Sequence, residues 1–300
     1  MVVQYIKKSV ALLLLVVFST ACVKEELSKC NFPLKLTFHY THNVEVQDLF
    51  LAEIEDVNLF IYDKSGQLIK KESIAKQHLI DENSYQIMLP AGEYSIIAHG
   101  NVKHTFDYQS VDKLEEAFIS VHRDNQGGIS PDIKNMFYAV VNNLNHTSKK
   151  QGEATCLFFR KNSNFVRVII KHSNQIAMLP AATSKISAVN GDYKFDNTSY
   201  GNNRIHYIPL QPTKTNDLSS DFSVLKLWEG DDSNLNITQL KGDSIYTWYN
   251  GNLSALLLQK PGIDIELEDT FEVILDLDHS DMTVKIIVND WEVIDHNSGL

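Results

Sequence analysis

The sequence predicts an all-β protein built as two tandem antiparallel β-sandwiches with few, short helices. Apolar and polar residues alternate with period two over many short stretches. Turn residues recur about every ten positions between those stretches, as sandwiches require. No strand–helix–strand alternation is present, which argues against a dinucleotide-binding fold or a β/α barrel. The 300 residues, 43% of them hydrophobic, suffice for two separate cores.

At the N-terminus, Lys7 and Lys8 precede an apolar run from Val10 to Phe18, then Ser19, Thr20, Ala21 and Cys22. A basic start, a short apolar core and small residues make a secretory signal over residues 1–21. The run falls far below the roughly 20 residues that span a bilayer. A cysteine directly after the small residues is the arrangement of a bacterial lipoprotein signal, although Ser19 stands where leucine is more usual. On that reading Cys22 takes a diacylglycerol on its thiol and an acyl chain such as palmitate on its new amino group, and residues 22–33 form a lipidated tether. A plain secretory signal followed by a chance cysteine is the alternative. Lys24-Glu25-Glu26 resembles the surface-export signal of Bacteroides-type lipoproteins.

The first sandwich is assigned to residues 34–160. Leu34, Leu36, Phe38 and Tyr40 alternate with Lys35, Thr37, His39 and Thr41, which is a half-buried strand. Val57, Leu59 and Ile61 form another, ended by the turn Asp63-Lys64-Ser65-Gly66 before Leu68-Ile69. Tyr85 to Leu89 leads through Pro90-Ala91-Gly92 to a strand from Tyr94 to Ala98, and Ala154 to Phe159 closes the unit. The second sandwich is assigned to residues 161–300. Its strands are Phe165 to Ile170, Phe222 to Trp228, Leu235 to Leu240 and Ile245 to Tyr249. A hairpin follows, with Phe271 to Leu277 turning at His279-Ser280-Asp281 and returning through Val284, Ile286 and Val288. Only Asp112 to Phe118 and Leu253 to Lys260 read as helices.

Chemistry is sparse. No phosphate-binding loop, HExxH or GxSxG motif occurs, and no catalytic or metal-binding residues are assigned. His39 and His42 share a strand end without an obvious ligand set. Asp231-Asp232-Ser233-Asn234 offers oxygens but lacks the glycine and distal glutamate of a calcium loop, so a turn is the simpler reading. Glu266, Glu268 and Asp269 could supply paired carboxylates for glycoside hydrolysis, but Glu266 and Glu268 flank Leu267 as acids on the wet face of a strand would. Four Asn-x-Ser/Thr patterns, at Asn145, Asn197, Asn236 and Asn252, carry no meaning behind a bacterial lipoprotein signal. The net charge is −11, from 27 basic and 38 acidic residues. Loss of Lys7 and Lys8 with the signal leaves 25 against 38, or −13. Such a surface repels phosphate backbones and anionic headgroups alike. After lipidation of Cys22, Cys30 and Cys156 remain as a candidate disulfide between tether and first sandwich, with two free buried thiols as the alternative.

Five segments in order resemble the FimB-like fimbrial anchor lipoproteins of Bacteroides-type bacteria. Cys22 with Glu26-Leu27-Ser28-Lys29-Cys30 resembles their tether. Leu36 to Asn43 (LTFHYTHN) resembles the first strand, and Val57 to Gly66 (VNLFIYDKSG) the second with its turn. Leu89 to Asn101 (LPAGEYSIIAHGN) follows an L-x-A-G-x-Y segment ending in Gly-Asn, with His99 in place of an expected tryptophan. Val284 to Ile294 (VKIIVNDWEVI) resembles the closing strand with Asn-x-Trp. The resemblance is weakest between Ser173 and Asp221. It implies transthyretin-like sandwiches and a cofactor-free, non-enzymatic outer-membrane lipoprotein. That protein would hold the base of a fimbrium at the cell surface, limit its length and join pilin subunits by strand exchange. Val284 to Ile294 is a candidate joint element, with an internal strand as the alternative. The competing expectation is a glycan-binding or adhesive surface lipoprotein on the same scaffold, displaying Trp228, Tyr246, Trp248 and Tyr249. A surface hydrolase, the third class, has no motif to support it.

Overall fold

The computed structural model describes residues 30–79, 83–129, 133, 135–147, 153–172, 182–210, 218–278 and 283–293. The strands of the first half are β1 (Asn31–His39), β2 (Asp56–Asp63), β3 (Leu68–Ala75), β4 (Ser84–Pro90), β5 (Gly92–Gly100), β6 (Phe106–Gln109), β7 (Phe118–Val121), β8 (Gly128–Ile129), β9 (Phe137–His146), β10 (Ala154–Phe158) and β11 (Arg160–Lys161). Those of the second half are β12 (Ser163–His172), β13 (Ala182–Ala188), β14 (Asp192–Lys194), β15 (Ile205–Tyr207), β16 (Leu218–Leu225), β17 (Asn234–Lys241), β18 (Ser244–Asn252), β19 (Thr270–Asp278), β20 (Thr283–Val288) and β21 (Trp291–Val293). Among the described residues two short α-helices, α1 (Phe50–Glu53) and α2 (Leu253–Leu257), interrupt them. The protein is all-β, as the alternation predicts.

In the first sandwich a small sheet, ordered β10-β1-β4, covers a larger one ordered β11-β9-β5-β2-β3. Their facing side chains, among them Leu36, Phe38, Leu59, Ile61, Ile96 and Phe159, are fully buried. The second sandwich pairs the order β16-β12-β19-β20-β21 with β18-β17-β13-β15-β8. Most ladders are antiparallel, but β1–β10, β12–β19 and β8–β15 run parallel.

The chain does not fill the two cores strictly in sequence. Val102, Phe106, Ile119, Val121 and Met136 pack in the second core with Val166, Phe222 and Phe271. A fifth sheet, β14-β7-β6, pairs β6 and β7 of that excursion with β14 of the second half. We propose the division at 160/161 as the last passage between sandwiches, after this earlier loan of residues 102–136. A seam results where Phe60, Tyr62, Ile97 and Tyr138, on the outer face of the first sandwich, meet Ala117 and Phe195. Hence β2 is buried on both faces from Val57 to Tyr62, where simple alternation predicts one wet side.

The recognisable sequence segments prove to be turn chemistry. Asp63 Oδ1 accepts from the amides of Ser65 and Gln67, and Gly66 takes φ +76° to close that turn. A Cβ on Gly92 would lie 3.0 Å from the Tyr94 hydroxyl, which donates to the Pro90 carbonyl at 3.0 Å. Asn101, at φ +58°, accepts from Glu55 N at 2.8 Å and donates to Glu53 O at 2.7 Å. Asn289 and Asp290, at φ +42° and +65°, turn β20 into β21. Asp112 to Phe118, read from sequence as a helix, is instead a run of turns in which Lys113 bridges Gln67. Its apolar Leu114 and Ala117 serve the seam rather than a helix face. By contrast α2 forms within the expected segment, capped by the Asn252 side chain on Ala255 N.

Candidate functional site

The strand nearest the N-terminus among the described residues is β1. It begins one residue after Cys30 and lies in the middle of the small sheet. One neighbour, β4, pairs with it from Asn31↔Pro90 to Thr37↔Ser84; the other, β10, pairs from Lys35↔Ala154 to His39↔Phe158. Leu34, Leu36 and Phe38 anchor it in the core, being at most 4% exposed. Tension directed along β1 shears both ladders at once, so many hydrogen bonds share the load. The strand continues into a stiff loop, where Asp48 accepts from Tyr40 N at 2.9 Å and meets His39 Nδ1 at 2.7 Å. The Asn43 side chain donates to the carbonyls of Tyr40 and Gln47.

The two sandwiches are tied at Tyr40, the residue after β1. Its hydroxyl donates to Asp269 Oδ2 at 3.3 Å, and Lys161 pairs with the same carboxylate at 3.2 Å. Burial, then the Asp269 charge, push the Tyr40 phenol far above its ordinary pKa, so it stays a donor. Nearby, Asn162 and Asn197 exchange amide hydrogen bonds at 2.8 and 3.2 Å, and Asn164 donates to Glu268 O at 2.9 Å. A cleft of about 590 Å³ opens beside these ties, walled by Tyr138, Arg160, Lys226 and Trp228.

The residues singled out in the sequence fall as follows. Cys22 and the 1–29 segment lie outside the described residues. Cys30 and Cys156 are free and exposed. Cys156 stands opposite Thr37, seven positions along β1 from Cys30, or about 23 Å of strand, beyond the reach of a disulfide. Of Val284 to Ile294, β20 is internal, between β19 and β21; Trp291 on the edge strand is 48% exposed, and Ile294 lies outside the described residues. The hairpin turn at His279-Ser280-Asp281 lies outside them too.

Among the acids, Asp231 accepts from Trp228 N and Ser233 N, and Asp232 pairs with Arg204 and accepts from Val189 N. That motif is a turn whose oxygens are already engaged. Glu266 and Glu268 sit in the turn before β19, not on a strand, while Asp269 is held in the tie just described. Among the described residues no group of three or more histidines, cysteines or acids could hold a metal. Of the four display aromatics, Tyr246 alone is exposed, at 43%. Trp248 is buried and donates to Gln239, while Trp228 and Tyr249 pack against the second core. The cleft was not legible in the sequence, because its walls come from six separated stretches, from His42 to Glu266.

Comparisons place this architecture among known proteins. No curated protein matches the sequence. Among solved structures, the fimbrial anchor protein Mfa2 from Porphyromonas gingivalis is 20% identical, with 89% of this chain and 100% of that one covered and a TM-score of 0.74. A candidate polysaccharide binding protein from Bacteroides thetaiotaomicron is also 20% identical, covering 89% and 99%, with a TM-score of 0.75. A candidate adhesin from Bacteroides ovatus is 16% identical, covering 89% and 97%, with a TM-score of 0.75. These likenesses bear on the fold. The model of the Mfa2 family, described as fimbrillin-A associated anchor proteins Mfa1 and Mfa2, matches residues 27–297. Matched over residues 27–297 of its 300, the chain belongs to that family of fimbrial anchor proteins.

Proposed function

We propose that this protein is a non-enzymatic lipoprotein of the outer membrane that holds the base of a fimbrium at the cell surface and limits its length. The observation that carries the reading is the family match across residues 27–297; the basic, apolar and small-residue pattern of residues 1–21, followed by Cys22, supports the lipid attachment. Acyl chains on Cys22 would hold the body in the bilayer, each buried CH₂ contributing about 0.8 kcal/mol. An acidic body supplies no attraction of its own to anionic headgroups, which leaves the lipid as the membrane contact. The clamped position of β1 suits a body pulled from its N-terminus. Pilin subunits join by strand exchange, in which main-chain hydrogen bonds give the joint its durability.

The competing role, a glycan binder displaying its strand aromatics as one exposed face, finds little support, since Trp248 is buried and Tyr249 is packed against the core. Changing Cys22 to alanine tests the anchor. Filaments shed into the medium, or grown unusually long, support it. Filaments that stay cell-bound at normal length, with the variant made and exported, refute it.

A further inference from the structure

The cleft beside the sandwich ties carries a feature that anchoring does not use. Lys226 lines it, is only 6% exposed, and donates to the Glu266 main-chain carbonyl at 3.0 Å. Among the described residues its ammonium has no carboxylate at ion-pair distance, and burial lowers its pKa against the opposing charges of Glu266 and Asp269. A desolvated cation with one neutral acceptor is costly, and an incoming carboxylate would offset that cost. Arg160 lines the same cleft, exposed and without an ion pair among the described residues, so its planar fork is open for a bidentate carboxylate. In the lining of this cleft the cations Arg160, Lys161 and Lys226 outnumber the acids Asp196 and Glu266, on a chain whose net charge is −11.

The remaining walls suit a hydroxylated ring. Trp228 and Tyr138 supply aromatic surface. Asp196 also borders the cleft; its Oδ1 is occupied by Thr198 N and Oγ1, leaving Oδ2 to accept from hydroxyls. A volume near 590 Å³ accommodates one or two sugar units. We propose that this cleft binds an acidic saccharide of the hexuronate class, its carboxylate on Arg160 and Lys226 and its ring against Trp228. The site is separate from the lipid anchor, so the Cys22 test and this one can fail independently.

Calorimetric titration of the exported, signal-free chain with digalacturonate, and with its uncharged counterpart galactobiose, decides the matter. Saturable binding of digalacturonate is expected, about tenfold or more tighter than galactobiose and weakened about tenfold by Arg160→Gln. Trp228→Ala is expected to abolish it, with thermal melts showing that both variants remain folded. Arg160 is exposed, so its variant keeps the test open if Trp228→Ala misfolds. No heat with digalacturonate, equal affinity for the two disaccharides, or an unchanged Arg160→Gln variant would each overturn the proposal.

Discussion

Acidification should loosen the seam between the sandwiches through one residue, His99. Its ring is 1% exposed and boxed by Phe195 at 5.1 Å, Tyr108 at 5.6 Å, Tyr138 at 6.0 Å and Phe60 at 6.3 Å between centroids. Its Nδ1 has no hydrogen-bond partner among the described residues. Burial lowers its pKa from 6.5 to about 3, because the imidazolium would be stranded among aromatic rings. The unfolded chain therefore takes up a proton below pH 6.5 that the folded chain refuses. The stability His99 allows is complete above pH 6.5 and falls as the pH drops toward 3, by about 1.4 kcal/mol per unit. Two units, to pH 4.5, amount to about 2.7 kcal/mol. Carboxylates contribute to acid unfolding as well, so the comparison must be with His99→Phe, which keeps a ring and removes the titration. Urea unfolding at pH 7 and pH 4.5 is expected to show the wild type losing about 2.5 kcal/mol more than the variant over that interval. Equal losses in the two proteins would refute the reasoning.

Other consequences follow from the same packing. Asn101→Ala removes two hydrogen bonds and asks alanine to hold φ +58°, so a loss of about 2–3 kcal/mol is expected in chemical denaturation. Asp269→Ala breaks the tie to Tyr40 and Lys161 together and is expected to cost about 1–2 kcal/mol, read as a lower thermal midpoint. In a chain carrying Cys22→Ala, native Cys30 and Cys156 should both react with a thiol reagent, and a reductant should leave the melting temperature unchanged.

Much of the fold was readable because period two needs only local sequence. The hairpin of β19 and β20 and the clamped strand β1 show it plainly, since their buried residues alternate. Elements failed where burial depended on distant chain. The stretch from Asp112 to Phe118 looks helical in isolation, yet Leu114 and Ala117 are claimed by a seam that the sequence cannot announce. Likewise β9, with three buried residues at its start and exposed asparagines toward its end, shows no clean alternation. The family segments were legible for a different reason. Gly92, Asn101 and Asn289 answer to steric demands at turns, so they testify to fold and say nothing of a ligand. Arg160, Lys226 and Trp228 converge only after both sandwiches have formed, which is why the cleft left no motif.

If load passes from lipid to filament through β1, attachment should fail in two distinguishable ways. Loss of the lipid releases the intact protein with the filament, whereas weakening the first sandwich releases the filament from a chain still held by its lipid. Leu36 is fully buried in the middle of β1, facing the core that joins the two sheets. Replacing it with alanine leaves a cavity and is expected to cost about 2–5 kcal/mol, enough to populate a slipped or opened strand under tension. Cells carrying Leu36→Ala should hold fimbriae at rest and lose them under fluid shear, while the lipidated body stays in the membrane fraction. Cys22→Ala cells should lose both, at rest and under flow. Retention of fimbriae by Leu36→Ala at every shear rate, in a protein shown to be destabilised in solution, would mean that β1 does not carry the load.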